Sequence, residues 1–165
     1  GMAHTNIIGR RLDREVINLG FSGNALLDME IAELMASVDD PGLYVLDYVP
    51  NASADAIDQV GEHFFRIIRD AHPEVPVVFI EDVIFPHTIF DNKILEEVTK
   101  KNVAQKRLFK KLKQSGEKRI YYISAEGMIG DDGEATVDAI HFTDLGAMRY
   151  VDHVLPLIKR ALRCH

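Results

Sequence analysis

Cysteine is almost absent from this chain: a single Cys164 stands beside the carboxyl terminus, and there is no tryptophan. One cysteine excludes an intrachain disulfide and any cysteine-based zinc cluster, a pattern that fits a reducing compartment. Continuous apolar runs are short, and none approaches the ~20 residues that a membrane-spanning helix needs. Net positive charge is also lacking. The 165 residues carry a formal charge of -7, which disfavours a general binder of nucleic acid or anionic membrane. The one basic cluster, "KRLFKKLKQSGEKR" (106–119), is interleaved with Leu108 and Leu112 and reads as the solvated face of a helix. No signal peptide opens the chain. Gly1-Met2 reads as a cloning remnant before a start methionine, so a leader upstream would be invisible, and the compartment is cytoplasmic only by default.

What is present is ordinary globular material. Hydrophobic residues make up 47% and charged residues 27%, which argues against disorder. Repeats, low-complexity tracts and Pro/Gly/Ser linkers are missing, so residues 1–165 are expected to form one domain. Four β-rich runs stand out: "EVINL" (15–19), "LYVLDYV" (43–49), "VPVVFIE" (75–81) and "RIYYIS" (119–124). The second and third are nearly continuous apolar stretches, the pattern of parallel strands covered on both faces. Helical periodicity lies between them. In 28–38 Ile31, Leu34 and Met35 form a stripe; in 54–71 Ile57, Val60, Phe64, Ile67 and Ile68 recur at helical spacing. A long charged helix spans about 91–115. A last helix follows a Thr143 N-cap and is expected to bury Leu145, Met148, Val151, Leu155 and Ile158, with Pro156 as a kink or a local loss of hydrogen bonding. Alternation of strand and helix predicts a three-layer α/β/α sandwich with a parallel sheet.

In such sheets chemistry gathers beyond the carboxyl ends of the strands, so polar residues just after a strand run count most. Three loops qualify. The first is Gly20-Phe21-Ser22-Gly23-Asn24. The second is "DYVPNASAD" (47–55), with Asp47 still in the strand and Asn51 beyond Pro50. The third is "VDAIHFTD" (137–144), which follows a Gly-rich acidic turn and holds Asp138 and His141. A carboxylate three residues before a histidine can hold Nδ1 and leave Nε2 to act as a general base. The same spacing arises where Asp138 merely caps a turn and His141 merely precedes a helix. Asn51 is either a donor to a developing oxyanion or a turn or N-cap residue before "ASADAI". Gly23 either offers its backbone N–H to the same oxygen or is a left-handed turn glycine. Glycines after a first strand can also cradle phosphate, but the third glycine of a dinucleotide fingerprint and a Walker lysine are both missing. Neither a metal nor another cofactor is expected.

Taken in order, these blocks resemble the SGNH hydrolases, the GDSL-type esterases. "VINLGFSGN" is similar to the second motif block of that family, "YVLDYVPN" to the third and "VDAIHFTDLGAMRYVDHV" to the fourth. The resemblance implies a flavodoxin-like α/β sandwich, with Gly23 and Asn51 as oxyanion donors and Asp138 and His141 as orienting acid and general base. It also implies hydrolysis of small carboxylic esters, acetylated carbohydrate among them, by a serine acyl-enzyme route. Two departures are visible. Val49-Pro50-Asn51-Ala52 stands where Gly-x-Asn-Asp is usual, and Asn24 stands where aspartate is common.

The family's nucleophilic serine belongs to a first block, a Gly-Asp-Ser-like turn after a first strand, which is not in this sequence. Ser22 occupies a second-block place and reads as a loop serine supporting Gly23. The domain is thus expected to lack its first strand, either because the segment begins late or because the protein has lost it. In the second case the chain is a catalytically silent binder of ligand or partner on the same fold. A missing inner strand would leave apolar edges between runs 15–19 and 43–49, which invites homo-oligomerisation.

Overall fold

The computed structural model describes residues 1–163, the side chain of Ile89 excepted; Cys164 and His165 lie outside the described residues. Helix α1 (His4–Leu12) and helix α2 (Met29–Ala36) precede strand β1 (Tyr44–Leu46). Helix α3 (Ala54–Ala71), strand β2 (Val77–Ile80), a 3-10 turn (Pro86–Ile89), helix α4 (Asn92–Gln114), strand β3 (Ile120–Ile123) and helix α5 (Asp144–Arg163) follow. The sheet is wholly parallel in the order β1-β2-β3, with Tyr44 opposite Val77 and Val77 opposite Ile120.

Side-chain alternation along the strands builds the two layers. Tyr44, Leu46, Val77, Phe79 and Ile120 point to a core shared with α2, α3 and α4. Val78, Ile80 and Ile123 point to a second core shared with α1 and α5. The expected α/β sandwich with a parallel sheet and helices on both faces is therefore what forms. Helix α3 starts where Ser53 Oγ accepts the Ala56 N–H at 3.1 Å, and it buries Ile57, Phe64, Phe65 and Ile68. The basic helix α4 buries Leu108 and Leu112 and leaves Lys106 and Lys110 exposed, as its interleaved pattern requires. No helix among the described residues is long and apolar enough to cross a membrane.

Three expectations need correction. Residues 15–19 form no strand. Val16 and Ile17 stay exposed, and the segment folds back so that Val16 Cγ2 lies 3.4 Å from the position a Cβ would take on Gly9 of α1. Composition alone cannot make a strand without a neighbour to accept its hydrogen bonds. Leu34 is exposed, and the buried residue of α2 is Ala32. Leu145 and Met148 are also exposed; the stripe that α5 presses on the sheet runs through Ala147, Tyr150, Val151, Val154, Leu155 and Ile158. Helix α5 runs through Pro156 without interruption.

Candidate active site

All three strands are parallel, so the loops after β1, β2 and β3 leave the same edge of the sheet, on neighbouring strands roughly 4.8 Å apart. The loop after β3 is the best organised. An antiparallel bridge joins Thr136 to Phe142. Val137 N–H donates to the His141 carbonyl at 2.8 Å and Thr143 N–H to the Ala135 carbonyl at 2.9 Å. The enclosed turn forces Ala139 to φ +73°, a left-handed conformation costly for a residue with a Cβ.

Asp138 organises this turn. Its Oδ1 accepts the N–H groups of Ile140 at 3.0 Å and His141 at 2.7 Å, while Oδ2 lies 2.6 Å from His141 Nδ1. Asp138 and His141 are thus brought together, and Asp138 acts both as turn cap and as partner of the imidazole. The hydrogen bonds from the His141 side chain and backbone hold the Asp138 carboxyl down at about 2. An ionised carboxylate can only accept, so Nδ1 carries the proton and Nε2 presents its lone pair. Among the described residues no hydrogen bond engages Nε2. The sign is that of a depressed acid: the bond is present at neutral pH and is lost as pH falls through the lowered value. Titration followed by the Asp138 carboxyl carbon in NMR should therefore show a midpoint near 2; a midpoint near 4 would show the bond to be absent.

Behind the histidine, Phe142 anchors the loop. Its ring lies 5.5 Å from Tyr150 of α5, and His4 of α1 lies 4.9 Å from the same ring. Tyr150 is buried, and its hydroxyl donates to Asp47 Oδ2 at 2.5 Å. Asp47 directly follows β1, so an aromatic and hydrogen-bonded chain ties the His141 loop to the strand that leads to Asn51. Burial raises the Asp47 carboxyl, with the Tyr150 bond and His4 pulling it back. Next to the loop, Arg149 clamps the Gly-rich acidic turn through two 2.6 Å bonds to Asp132 and one of 3.1 Å to the Ile129 carbonyl.

Asn51 sits exposed in the turn after β1, where its N–H donates to the Tyr48 carbonyl at 3.0 Å. Ser53, not Asn51, caps α3, and among the described residues no hydrogen bond engages the Asn51 side chain. The amide is uncommitted. Gly23 has φ +69°, the left-handed turn conformation, and a Cβ there would meet nothing within 4 Å. The turn is closed by Asn24, whose N–H donates to the Phe21 carbonyl at 2.8 Å and whose side chain donates to the Ser22 carbonyl at 2.7 Å. Among the described residues no hydrogen bond joins Gly23 to Asn51 or His141; of these four, only Asp138 and His141 are bonded to each other.

The chain matches the GDSL-like lipase/acylhydrolase family over residues 1–159. It belongs to that family. The crystal structure of a protein described as a GDSL-like lipase from Bacteroides ovatus superposes with a TM-score of 0.93 at 32% identity, over 99% of this chain and 48% of that one. The salicylyl-acyltransferase SsfX3 of a tetracycline biosynthetic pathway superposes with a TM-score of 0.76 at 16% identity, over 97% of this chain and 50% of that one, and shows the fold alone. No curated protein matches the chain significantly. The chain spans about half the length of the solved relatives it matches.

Sequence reasoning passed over two residues of this GDSL-like edge. Asp82 is the second residue beyond β2 and is buried; the rule that polar residues after strands count would have found it. Lys101 lies inside α4, where that rule does not look. In the segment after β2, Phe85 packs into the core beside α5, whereas Phe90 is 89% exposed.

Proposed function

We propose that this chain is part of a serine hydrolase acting on small carboxylic esters, acetylated carbohydrate among the candidates. One observation carries the reading: a carboxylate 2.6 Å from His141 Nδ1 on a loop that leaves Nε2 open to solvent. In the reaction a serine hydroxyl attacks the ester carbon and passes its proton to Nε2. The tetrahedral oxyanion accepts the Gly23 N–H and the Asn51 side-chain amide. Collapse breaks the bond to the leaving alkoxide, which takes the proton from the imidazolium. Water then repeats the sequence on the acyl-enzyme, losing its proton to His141 and releasing the acid and the serine. Asp138 stays ionised throughout and keeps the imidazole oriented.

Ser22 is not the nucleophile in this scheme. Its carbonyl is engaged by Asn24 in the turn beneath Gly23, and its hydroxyl makes no bond to His141. The test is hydrolysis of p-nitrophenyl acetate by the full-length protein. Turnover retained in Ser22→Ala is the expected result. Loss of turnover in that variant would move the nucleophile into this loop, and no turnover by the unaltered protein would leave a ligand-binding member of the family.

A further inference from the structure

Beyond the loops, the carboxyl edge is keyed to helix α4 at two consecutive residues. Asn102 clamps the main chain of Asp82 from both sides: its Oδ1 accepts the Asp82 N–H at 2.7 Å and its Nδ2 donates to the Asp82 carbonyl at 2.9 Å. Its neighbour Lys101 reaches the other way, and Nζ donates to the Pro50 carbonyl at 3.0 Å. That carbonyl and the Asn51 N–H belong to one peptide plane. With Lys101 on the oxygen and the Tyr48 carbonyl on the N–H at 3.0 Å, both polar ends of the plane are held, and the ring of Pro50 fixes its own φ. The backbone that carries the Asn51 side chain is thereby held at both polar ends.

The field of the ammonium also reaches Asp82. Its carboxyl is buried, and Oδ1 has no hydrogen-bond partner, an arrangement costly for a charged group without a compensating cation. The groups that act on it are Lys101 from α4, Asp47 from the end of β1, Tyr150 from α5, and the Val83 N–H beside it. Lys101 is the cation among them. We propose that Lys101 is a positioning residue for Asn51, its ammonium binding the Pro50 carbonyl and so fixing the peptide plane that carries the Asn51 N–H. The proposal rests on Asn51 being an oxyanion donor. An electropositive tether next to that donor adds to the field at the place where negative charge develops.

Lys101→Met and Lys101→Arg in the full-length protein test it. With Met, kcat for p-nitrophenyl acetate should fall about 10–100-fold with KM within about twofold, since only a group aimed at the transition state is disturbed. Arg should restore most of the loss. NMR reports without any turnover. The Asn51 side-chain amide resonances should broaden or shift in Met alone. Unmoved Asn51 resonances in a folded Lys101→Met protein overturn the proposal whatever the turnover. A protein whose turnover survives His141→Ala would instead overturn the hydrolase reading, with the NMR signals still deciding the place of Lys101.

Discussion

Replacing His141 with alanine is expected to lower kcat for p-nitrophenyl acetate by about 10³–10⁴-fold while leaving the melting temperature within about 2 °C. The two halves of that statement come from the same geometry. His141 is 75% exposed, its imidazole bonds only to Asp138, and the turn around it is held by backbone bonds and by Asp138 Oδ1. Removing the ring costs the fold little because it buries little. In the proposed reaction the serine loses its proton acceptor, and residual rate would come from oxyanion binding. Asp138→Asn should be nearly as damaging to turnover, since an amide can donate to Nδ1 and favour the wrong tautomer. It should also loosen the turn, because an amide oxygen accepts the Ile140 and His141 N–H groups less strongly than a carboxylate does. A His141→Ala protein that hydrolyses ester at the wild-type rate would remove the histidine from the mechanism.

Gly146→Ala should have the largest effect on stability. Gly146 lies in the first turn of α5, and a Cβ there would sit 1.9 Å from the Ala135 carbonyl oxygen and 2.8 Å from its carbon. Both are backbone atoms, so no side chain can swing aside. The helix or the loop must move. Overpacking of this kind costs about 3 kcal/mol or more, which for a domain of this size corresponds to a fall in melting temperature of about 6–12 °C. The same carbonyl accepts the Thr143 N–H that closes the His141 turn at 2.9 Å, and Thr143 Oγ1 caps the helix by accepting the Gly146 N–H at 3.0 Å. Turnover should therefore fall along with stability, about tenfold or more at temperatures where the variant is still folded. Thermal unfolding followed by circular dichroism decides it: a melting temperature within 2 °C of wild type would mean that the contact relaxes freely.

Much of this architecture is legible in the sequence because burial dictates residue type. Val77–Ile80 is covered on both faces and must be apolar throughout, and α3 must repeat its stripe to cover the sheet. Residues 15–19 show where that reasoning stops. Their apolar and β-branched side chains meet the strand composition, yet a strand also needs a hydrogen-bonding neighbour, which no local pattern encodes. The face of a helix is ambiguous by one position in the same way. Leu145 and Met148 fit a helical stripe as well as Ala147 and Val151 do, and only the position of the sheet decides between them.

At the site, Asp138 and His141 are readable because they stand three positions apart in a tight turn. Their interaction is local, and the chain carries it wherever the turn forms. Tyr150 and Asp47 are 103 residues apart, and each alone reads as core. Lys101 reads as one of many lysines on a solvated helix. Its role comes from α4 crossing the carboxyl ends of β1 and β2, a relation visible only once the sheet is assembled.

The ring nitrogens of His141 offer the most direct measurement. In ¹⁵N NMR of the neutral imidazole, the expected result is a protonated Nδ1 and a bare Nε2, fixed in that tautomer by Asp138. A ring carrying its proton on Nε2, or exchanging between tautomers as a free imidazole does, would contradict the assignment of His141 as an oriented base.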